Sequence, residues 1–561
     1  MDKVKATRKI LFCVLVCALL PCAAHAAHVP PATAKTAFEH ATALDKKQKF
    51  ADAVTALVQA IDIDPEFMVA HQRLQFVSWE LKGAAYDDKK LEPQSKAVEK
   101  LIDDKYAAWQ KRYPDSVGIT FGLGNRLASQ ESPKARDYLL KVTRLDPGNA
   151  EAYSLLSQDA QRRGDQKAAL AYLQKAASVE PHNSDYAFYY ASELKNVDRA
   201  RWEAASLDVA KRFPTSERGA QALYWLGMGS ESVAKRIALW EQLRATFPPE
   251  KFQWSANAMG PLFEAYLGTH PAKAAAFARQ MKAGAAKGAK DQAERSVKEW
   301  DKRIALADTV VTVNRDLSQG KPDQAMAMLD KLATERMSSN AAMIVRLKAK
   351  VMASAGKKKE AYESLLKQQA KAPDGDTHAA LQQYGKQIGK TNTQTEADLN
   401  ALLDAGSKPA TPFNLHTYTS NETVSLDKLR GKVVFISFWF PGCGPCRAEF
   451  PHLEEAVAPF RNSKDFVYLG INIDRDQDDY VDSFMQQTKY SFTPLKGEKP
   501  VIDAYDKMGL APYNLLIDRS GRIVYSSFMA TDADAGQMVQ RMIGSLMARK
   551  ASVAASGEVK P

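Results

Sequence analysis

Cysteine is scarce in this 561-residue sequence, which contains only five. Three of them lie within the first 22 positions, and the other two are Cys443 and Cys446. So few cysteines exclude a small fold held together by disulfides. The 29 Gly and 26 Pro exclude a collagen-like chain, and a hydrophobic fraction of 45% excludes wholesale disorder. At about 100–200 residues per domain, the length predicts two to four domains.

Long apolar runs are also lacking. The N-terminal run Ile10–Leu20 has eleven residues, well short of the ~20 that span a bilayer. Four basic residues precede it, and Ala24-His25-Ala26 follows it as a small-residue cleavage site. This layout predicts a signal peptide over residues 1–26, with Ala27 as the first mature residue. We therefore expect an exported protein, periplasmic if bacterial; membrane anchoring through this segment is the weaker alternative.

The C-terminal part of the chain has almost no net charge. The chain has a net charge of +11, yet residues 401–561 hold 18 basic against 19 acidic residues. The basic excess therefore lies earlier, without a Lys/Arg block, so nucleic acid is not a predicted partner. A solvated helical surface is favoured. A surface that attracts anionic lipid headgroups is the alternative, so membrane association is compatible with the sequence but not required.

Prolines recur at regular intervals in the N-terminal two thirds. Their spacings are 33, 34, 33 and 34 residues, and each follows an amphipathic stretch that it would end, namely at Pro114, Pro147, Pro181, Pro214 and Pro248. Further units end at Pro65 and Pro373. This region resembles the tetratricopeptide family of 34-residue helix-turn-helix units. The match is strong over 114–250 and weak over 250–335, and the first-helix Trp and Gly positions are mostly unfilled.

That resemblance implies an all-α tetratricopeptide-like solenoid over residues 27–400. One helix pair cannot bury its apolar face alone, so stacked pairs share a core. The Leu, Tyr and Trp stripes are expected to form that core rather than a ligand site. The functional expectation is a scaffold that holds a protein partner, which the sequence does not name.

A different pattern follows a linker over residues 401–412. The run Val433–Trp439 is β-branched and aromatic, as in a strand covered on both faces. A second strand is predicted over 467–473, and a hairpin over 514–525 with a turn at Gly521. Helices are predicted from about Cys443 through Leu453, over 478–488 and over 533–549. This order predicts an α/β domain over 413–549, followed by a flexible tail over 550–561.

The chemistry of this domain is predicted at Cys443-Gly444-Pro445-Cys446. The motif follows the buried strand and opens a helix, whose unpaired N–H groups and dipole favour a thiolate on the first cysteine. Pro445 is tolerated because first-turn N–H groups have no intrahelical partner. Such a pair can attack a disulfide through Cys443 and resolve the mixed disulfide through Cys446. The pair itself is the redox group, so no bound cofactor is expected.

Two structural alternatives are weaker. A zinc site needs about four ligands, but the mature chain has no further cysteine and the domain offers only His416 and His452. No metal is therefore expected. A purely structural disulfide closing so short a ring would add little rigidity.

The segment LRGKVVFISFWFPGCGPCRAEFPHL resembles thioredoxin-fold proteins of the TlpA/ResA type, with matches at Gly431-Lys432, Trp439, both cysteines and Glu449-x-Pro451-x-Leu453. The resemblance covers about 405–548. It implies that Pro512 is a cis-proline facing the cysteines. Pro512, Ala511 and Trp439 would then form the substrate platform, with Gly444 and Pro445 completing the active-site motif.

The sequence also departs from that family. Gly442 stands where an aromatic residue usually precedes the first cysteine, and Ser437 where thioredoxin has a buried acid. No carboxylate can therefore be assigned as the proton acceptor for Cys446, and Arg447 is expected to be solvated. The Gly-Pro insert is that of thioredoxin, which favours a reductant over an oxidant.

The sequence as a whole predicts an exported thiol–disulfide oxidoreductase. Its partners would be disulfide-bearing proteins, an external electron donor and a protein held by the repeats. One alternative is a thiol peroxidase, against which stands the missing Pro-x-x-x-Thr-x-x-Cys arrangement. The other is a protein-binding scaffold with an accessory redox domain.

Overall fold

The structure, a computed structural model, describes residues 28–549 except 231, 287–289, 333–339, 421 and 506–508. The predicted signal peptide and C-terminal tail lie outside these residues. Within the described part, no helix is long and apolar enough to cross a membrane. The chain divides into two compact units, Met1–Gly122 and Leu123–Pro561.

The first unit is helical. Its core is formed by the apolar faces of long helices, among them Leu57 and Ile61 in the second and Leu74 and Val77 in the third. The helices, with α5 crossing the unit boundary, are α1 (Ala32–Asp45), α2 (Phe50–Ile63), α3 (Met68–Asp87), α4 (Glu92–Arg112) and α5 (Val117–Ser129).

The second unit begins with further helices that pack against their neighbours in the chain. They are α6 (Ala135–Leu145), α7 (Ala150–Arg162), α8 (Gln166–Val179), α9 (Ser184–Glu193), α10 (Arg199–Arg212), α11 (Glu217–Met228), α12 (Val233–Thr246), α13 (Gln253–Thr269), α14 (Pro271–Ala285), α15 (Lys290–Ser318), α16 (Pro322–Leu332), α17 (Ala341–Ser354), α18 (Lys358–Lys371), α19 (Gly375–Gln387) and α20 (Asn392–Gly406).

Helix starts and stops follow the sequence pattern. The side chains of Asn149, Asp165 and Asp198 accept backbone N–H groups at the starts of α7, α8 and α10. Pro181 and Pro214 come two residues after α8 and α10, the second members of successive pairs. The helical N-terminal region is thus confirmed, while its membership of the tetratricopeptide family stays a prediction. Where the repeat match is weak, α15 runs for 29 residues, far longer than a repeat helix.

A mixed six-stranded sheet follows, in the order β1-β8-β7-β4-β5-β6, beside a small β2–β3 hairpin. Strands β5 and β6 run parallel to β4, whereas β7 is antiparallel to it. The strands are β1 (Lys408–Pro409), β2 (Asn414–His416), β3 (Thr423–Ser425), β4 (Val433–Trp439), β5 (Phe466–Asn472), β6 (Thr493–Lys496), β7 (Tyr513–Ile517) and β8 (Arg522–Phe528). The helices are α21 (Gly444–Val457), α22 (Asp478–Thr488), α23 (Lys499–Tyr505) and α24 (Ala533–Ala548).

Strand β4 is buried on both faces, as its continuous apolar run predicts. Val433, Phe435 and Trp439 face a core shared with α21, α22 and α24. The alternate residues of the strand face a second core, which includes apolar residues of the β2–β3 hairpin and of α23. The prediction of a multidomain chain with helices followed by an α/β domain is therefore confirmed. The short strands β1, β2, β3 and β6, and helix α23, were not predicted, because segments of two to seven residues carry little periodicity.

The helices before the sheet contribute to the core of the C-terminal domain. Leu399 and Leu403 of α20 are buried in the same cluster as the β4 and α21 side chains. Leu366 and Ala370 of α18 pack against that cluster as well. Within the second unit, the hydrophobic interior therefore continues across the change from helices to sheet.

Candidate active site

The two cysteines form a disulfide at the N-terminus of α21, with their Cα atoms 5.3 Å apart. Cys443 is the N-cap residue, and its Sγ accepts the backbone N–H of Cys446 at 3.1 Å. Cys443 is only 2% exposed and Cys446 is fully buried, whereas Gly444 and Pro445 between them are exposed. The motif therefore presents its backbone to solvent and keeps its sulfurs against the domain. The helix start provides first-turn N–H groups that stabilise a thiolate at Cys443.

The turn between β4 and α21 explains the glycine before the first cysteine. The N–H of Gly442 donates to Oε1 of Gln477 at 2.6 Å, and the N–H of Cys443 donates to the carbonyl of Phe440. A Cβ on Gly442 would lie 2.8 Å from that same Gln477 oxygen. The aromatic residue usual in the resembling family would thus displace Gln477, so this departure follows from local packing.

Ala511 and Pro512 lie at the end of the sheet that carries the cysteines. Their peptide bond is cis, as the family resemblance implied. They immediately precede β7, whose first residue Tyr513 pairs with Phe438 near the end of β4. Because β4 leads directly into the Cys443 turn, this register brings the proline to the same edge of the sheet. Ala511 and Pro512 are both half-buried, and the adjacent Leu510 is exposed.

Trp439 cannot belong to an exposed substrate platform. Its side chain is fully buried, with ring contacts to Phe450, Phe484 and Phe492. The expectation for Trp439 was therefore wrong. As the last residue of β4 it points into the core beneath the active-site turn, where it supports the turn and does not meet a substrate.

A buried carboxylate lies one helical turn after Cys446, on the same face of α21. Oε1 of Glu449 accepts hydrogen bonds from Nδ2 of Asn514, at 2.8 Å, and from the backbone N–H of Ala530. Oε2 is buried and has no hydrogen-bond partner. Burial raises the pKa of Glu449 above its ordinary value, against the opposing effect of those two hydrogen bonds.

The sequence assigned no proton acceptor to Cys446, and the structure has the buried carboxylate of Glu449 one helical turn after it. Thioredoxin has its buried acid at the position that Ser437 occupies here, whereas the buried carboxylate of this domain lies on α21. The three-residue spacing from Cys446 to Glu449 was the signal in the sequence, because residues i and i+3 share a helix face.

Arg447 is only partly exposed, whereas the sequence led us to expect a solvated side chain. Its guanidinium is half-buried and lies 3.7 Å from Oε1 of Glu193 in α9, and its Nε is buried without a hydrogen-bond partner. Burial lowers the pKa of the Arg447 side chain. The neighbouring helices were invisible from the local sequence, because Glu193 lies some 250 positions earlier in the chain.

Metal-ligand clusters are not seen in the parts of the chain that the structure describes: no group of three or more His, Cys, Asp or Glu side chains could hold an ion there. The sulfurs are held to each other. The chemistry that the site offers is therefore that of a reversible disulfide next to a helix N-terminus, with a buried acid one turn away.

Comparison with known proteins gives relatives for the C-terminal part of the chain. Residues 404–540 match the Redoxin family model. Among curated proteins, the chain is 32% identical over 107 residues to the thiol-disulfide oxidoreductase ResA of Bacillus subtilis, covering 19% of this chain and 58% of that protein. It is 30% identical over 128 residues to ResA of Halalkalibacterium halodurans, covering 22% and 66%. The chain thus spans about three fifths of the length of the first relatives it matches.

Solved structures with similarity include the thioredoxin domain of a thiol-disulfide oxidoreductase from Bacteroides vulgatus, at 26% identity and a TM-score of 0.22, covering 24% of this chain and 96% of that one. A thiol:disulfide interchange protein from a Bacteroides species is 25% identical with a TM-score of 0.22, covering 25% and 90%. The C-terminal part of this chain, over residues 404–540, is a redoxin domain whose relatives by sequence are thiol-disulfide oxidoreductases of the ResA type.

Proposed function

We propose that this protein is an exported thiol–disulfide oxidoreductase that reduces or exchanges disulfides of partner proteins through Cys443 and Cys446. The observation that carries the proposal is the disulfide at the N-terminus of α21, with Glu449 buried one turn behind it. The ResA-type relatives support the same reaction class.

In the reducing direction, the Cys443 thiolate attacks one sulfur of a substrate disulfide. The substrate S–S bond breaks, and a mixed disulfide joins Cys443 to the substrate. The Cys446 thiolate then attacks Sγ of Cys443 and releases the second substrate sulfur. The substrate gains two electrons and two protons, and the 443–446 pair becomes oxidised. An external dithiol must reduce it again, and no bound cofactor is needed.

Glu449 supplies the proton acceptor that the second step requires. Cys446 is fully buried, and a buried thiol in apolar surroundings resists ionisation. The unpartnered Oε2 of Glu449 is available to take the Cys446 proton, directly or through one water molecule. The raised pKa of this carboxylate brings it nearer to that of the thiol, which makes the transfer less uphill.

Export and partner binding rest on the sequence. The basic, apolar and Ala-His-Ala segments at the N-terminus support secretion, and a secreted chain meets a compartment in which disulfides form. The helices before residue 406 would hold the protein whose disulfide the domain acts on. With the leader removed, Cys443 and Cys446 are the only thiols of the chain, so any further disulfide belongs to another molecule.

The test is a trapping experiment on the chain from Ala27 onward. The Cys446→Ala variant cannot resolve the mixed disulfide, so we expect it to accumulate covalent adducts with partner proteins that dithiothreitol releases. The Cys443→Ser variant, with the nucleophile removed and little change in side-chain volume, should capture nothing. It should also reduce insulin at least about a hundredfold more slowly than the parent chain.

Adducts of equal yield on both variants would contradict the assigned roles. If the parent chain fails to reduce insulin but consumes peroxide with a thiol donor, the protein is a thiol peroxidase instead.

A further inference from the structure

We propose that a cleft between the helical region and the first turn of α21 binds an extended, neutral or acidic polypeptide segment that carries the substrate disulfide. This inference rests on the proposed function and names the surface that selects its substrate. The cleft has a volume of about 490 Å³, within the range of sites that bind ligands. All of its lining residues belong to the second compact unit.

Two sets of residues form the cleft. The helical region contributes polar side chains from α7, α9 and the turn after α9, including Gln158, Gln161, Ser192 and Asn196. The redoxin domain contributes Gly444 and Arg447 from the first turn of α21, together with residues of α22. The cleft therefore lies directly beside the exposed backbone of the motif that holds the disulfide.

Contacts join the two sets of elements that form the cleft. The hydroxyl of Tyr480 in α22 donates to the buried carboxylate of Asp159 in α7 at 3.1 Å. Gly164, in the turn after α7, has a φ of +73°, and a Cβ there would lie 2.8 Å from a side-chain carbon of Thr488. Only glycine allows so close an approach in this conformation. Packing and hydrogen bonds thus join the two walls of the cleft and fix their positions within the second unit.

The lining favours a polypeptide in extended conformation. Serine, glutamine and asparagine side chains can donate to and accept from a peptide backbone, whose N–H and C=O groups are unpaired when it is extended. The apolar lining residues, among them Phe484 and Tyr490, can receive the side chains of such a segment. Gln158, Ser192 and Asn196 are exposed, so they can meet an incoming chain.

The charges of the cleft set a preference. Arg447 and Lys195 outnumber the single carboxylate of Glu193, which also accepts a hydrogen bond from Nε2 of Gln161 at 2.7 Å. The ion pair from the terminal guanidinium nitrogen Nη1 of Arg447 to Glu193 is long, at 3.7 Å. A guanidinium with unused donors binds a carbonyl or carboxylate oxygen readily. An acidic or neutral segment is therefore favoured over a basic one.

The experiment uses the Cys446→Ala chain from Ala27 onward, so that reaction stops at the mixed disulfide. The probes are ten-residue peptides with one central cysteine carried as the mixed disulfide of thionitrobenzoate, flanked either by Ser and Glu or by Ser and Lys. Release of coloured thionitrobenzoate gives the rate. The small symmetrical disulfide of thionitrobenzoate, which has no peptide to dock, gives the reference rate.

A substitution that fills the cleft should slow the reaction of the peptide probes but not that of the small disulfide. Ser192→Trp places a large ring at the mouth of the cleft, and we expect it to lower the ratio of the Glu-peptide rate to the reference rate about tenfold. Ser178→Trp is the matched control, because Ser178 is an exposed serine of α8 that does not line the cleft. It should leave the ratio unchanged. The Glu peptide should react several times faster than the Lys peptide.

A second measurement does not depend on rates. With the Glu peptide trapped on Cys443, amide hydrogen exchange should slow in residues 154–166 and 189–196. An unchanged ratio in Ser192→Trp, or trapping without protection of these residues, would overturn the docking site while leaving the oxidoreductase function standing. Equal or faster reaction of the Lys peptide would overturn the charge preference. Absence of reaction with every probe would instead overturn the proposed function.

Discussion

The helical region and the redoxin domain differ in where they keep buried polar atoms that lack a hydrogen-bond partner. In the helical region such atoms are scattered among the described residues, at positions as far apart as Gln75, Ser255 and Thr395. In the domain they include four on β4 and α21, next to the two cysteines in the sequence, at Trp439, Arg447, Glu449 and His452, besides Ser437, Tyr468, Asn514 and Arg549. Native proteins leave few such groups without a partner. Several of them in one region therefore indicate a candidate functional site.

Two buried titratable side chains make the contrast specific. In the helical region, both ring nitrogens of His71 have partners, the hydroxyl of Tyr106 at 2.9 Å and the carbonyl of Pro65 at 3.0 Å. In the domain, only one oxygen of Glu449 is paired. The histidine is fixed in its neutral form by the fold, whereas the carboxylate keeps one oxygen without a hydrogen-bond partner. The two groups should therefore respond to pH in opposite directions.

The largest effect is expected for His71. Burial lowers its pKa from 6.5 to about 4, so the folded state binds a proton less readily than the unfolded state. Its contribution to stability is present above pH 6.5 and is lost as the pH falls toward 4, by about 3 kcal/mol. Urea unfolding of the first unit at pH 7 and at pH 4, monitored by hydrogen exchange of the amides in α3 and α4, measures this loss.

His71→Gln serves as the control for that effect. It should be less stable than the parent at pH 7, because the ring contacts are lost, but its stability should change less between pH 7 and pH 4. If the variant loses as much stability between pH 7 and pH 4 as the parent does, a group other than His71 causes the loss.

Glu449→Gln tests the role of the Glu449 carboxylate, the second of the two buried groups compared above. We expect resolution of the mixed disulfide to slow roughly a hundredfold, because the amide cannot accept the Cys446 proton. The folded-state pKa of Glu449 is raised, so its favourable contribution is present at low pH and is lost as the pH rises through that value. The variant should therefore gain stability at pH 8 relative to the parent and match it near pH 4.

Stopped-flow measurement of the Trp fluorescence change as a substrate disulfide oxidises the reduced 443–446 pair, with a pH profile, is the appropriate readout. A merely structural role would change the rate equally at every pH. Loss of the carboxylate inflection in Glu449→Gln, with the thiol inflection retained, is the expected signature.

The smallest effect is expected at the junction of the two regions within the second unit. Tyr480→Phe removes the hydrogen bond to Asp159 and should cost about 1 kcal/mol. Tyr505→Phe, which removes a hydrogen bond to the carbonyl of Thr411 inside the domain, is the matched control. Both variants should unfold at lower urea concentrations. Only Tyr480→Phe should speed hydrogen exchange in α7, and equal exchange in the two variants would contradict a joining role for this contact.

Periodic features of this fold could be predicted from the sequence. The apolar run of β4, the helices that end before Pro181 and Pro214, and the C-x-x-C at a helix start all depend on neighbours in the chain. Helices were expected over 478–488 and 533–549 and are found at Asp478–Thr488 and Ala533–Ala548. Local propensity and patterning were sufficient there.

Features that depend on distant segments could not be predicted. The burial of Trp439 arises from α22 and the segment before β6, and the pairing of Arg447 from a helix 254 positions earlier. Glu449 was visible in the sequence but could not be assigned, because its environment is made by Asn514 and Ala530 across the sheet. Local pattern thus identifies the proposed nucleophile, while tertiary structure determines the groups around it.

The burial of Leu399 and Leu403 of α20 beside the β4 core has a consequence for modularity. The similarity to redoxins begins at residue 404, yet the apolar interior begins before it. A fragment that starts at residue 404 would lack α18 and α20, so the apolar side chains that these helices cover would be exposed to water. Such an exposed apolar patch promotes aggregation. We therefore expect the smallest independently folding part to extend beyond the matched residues 404–540 and to include at least α18 and α20.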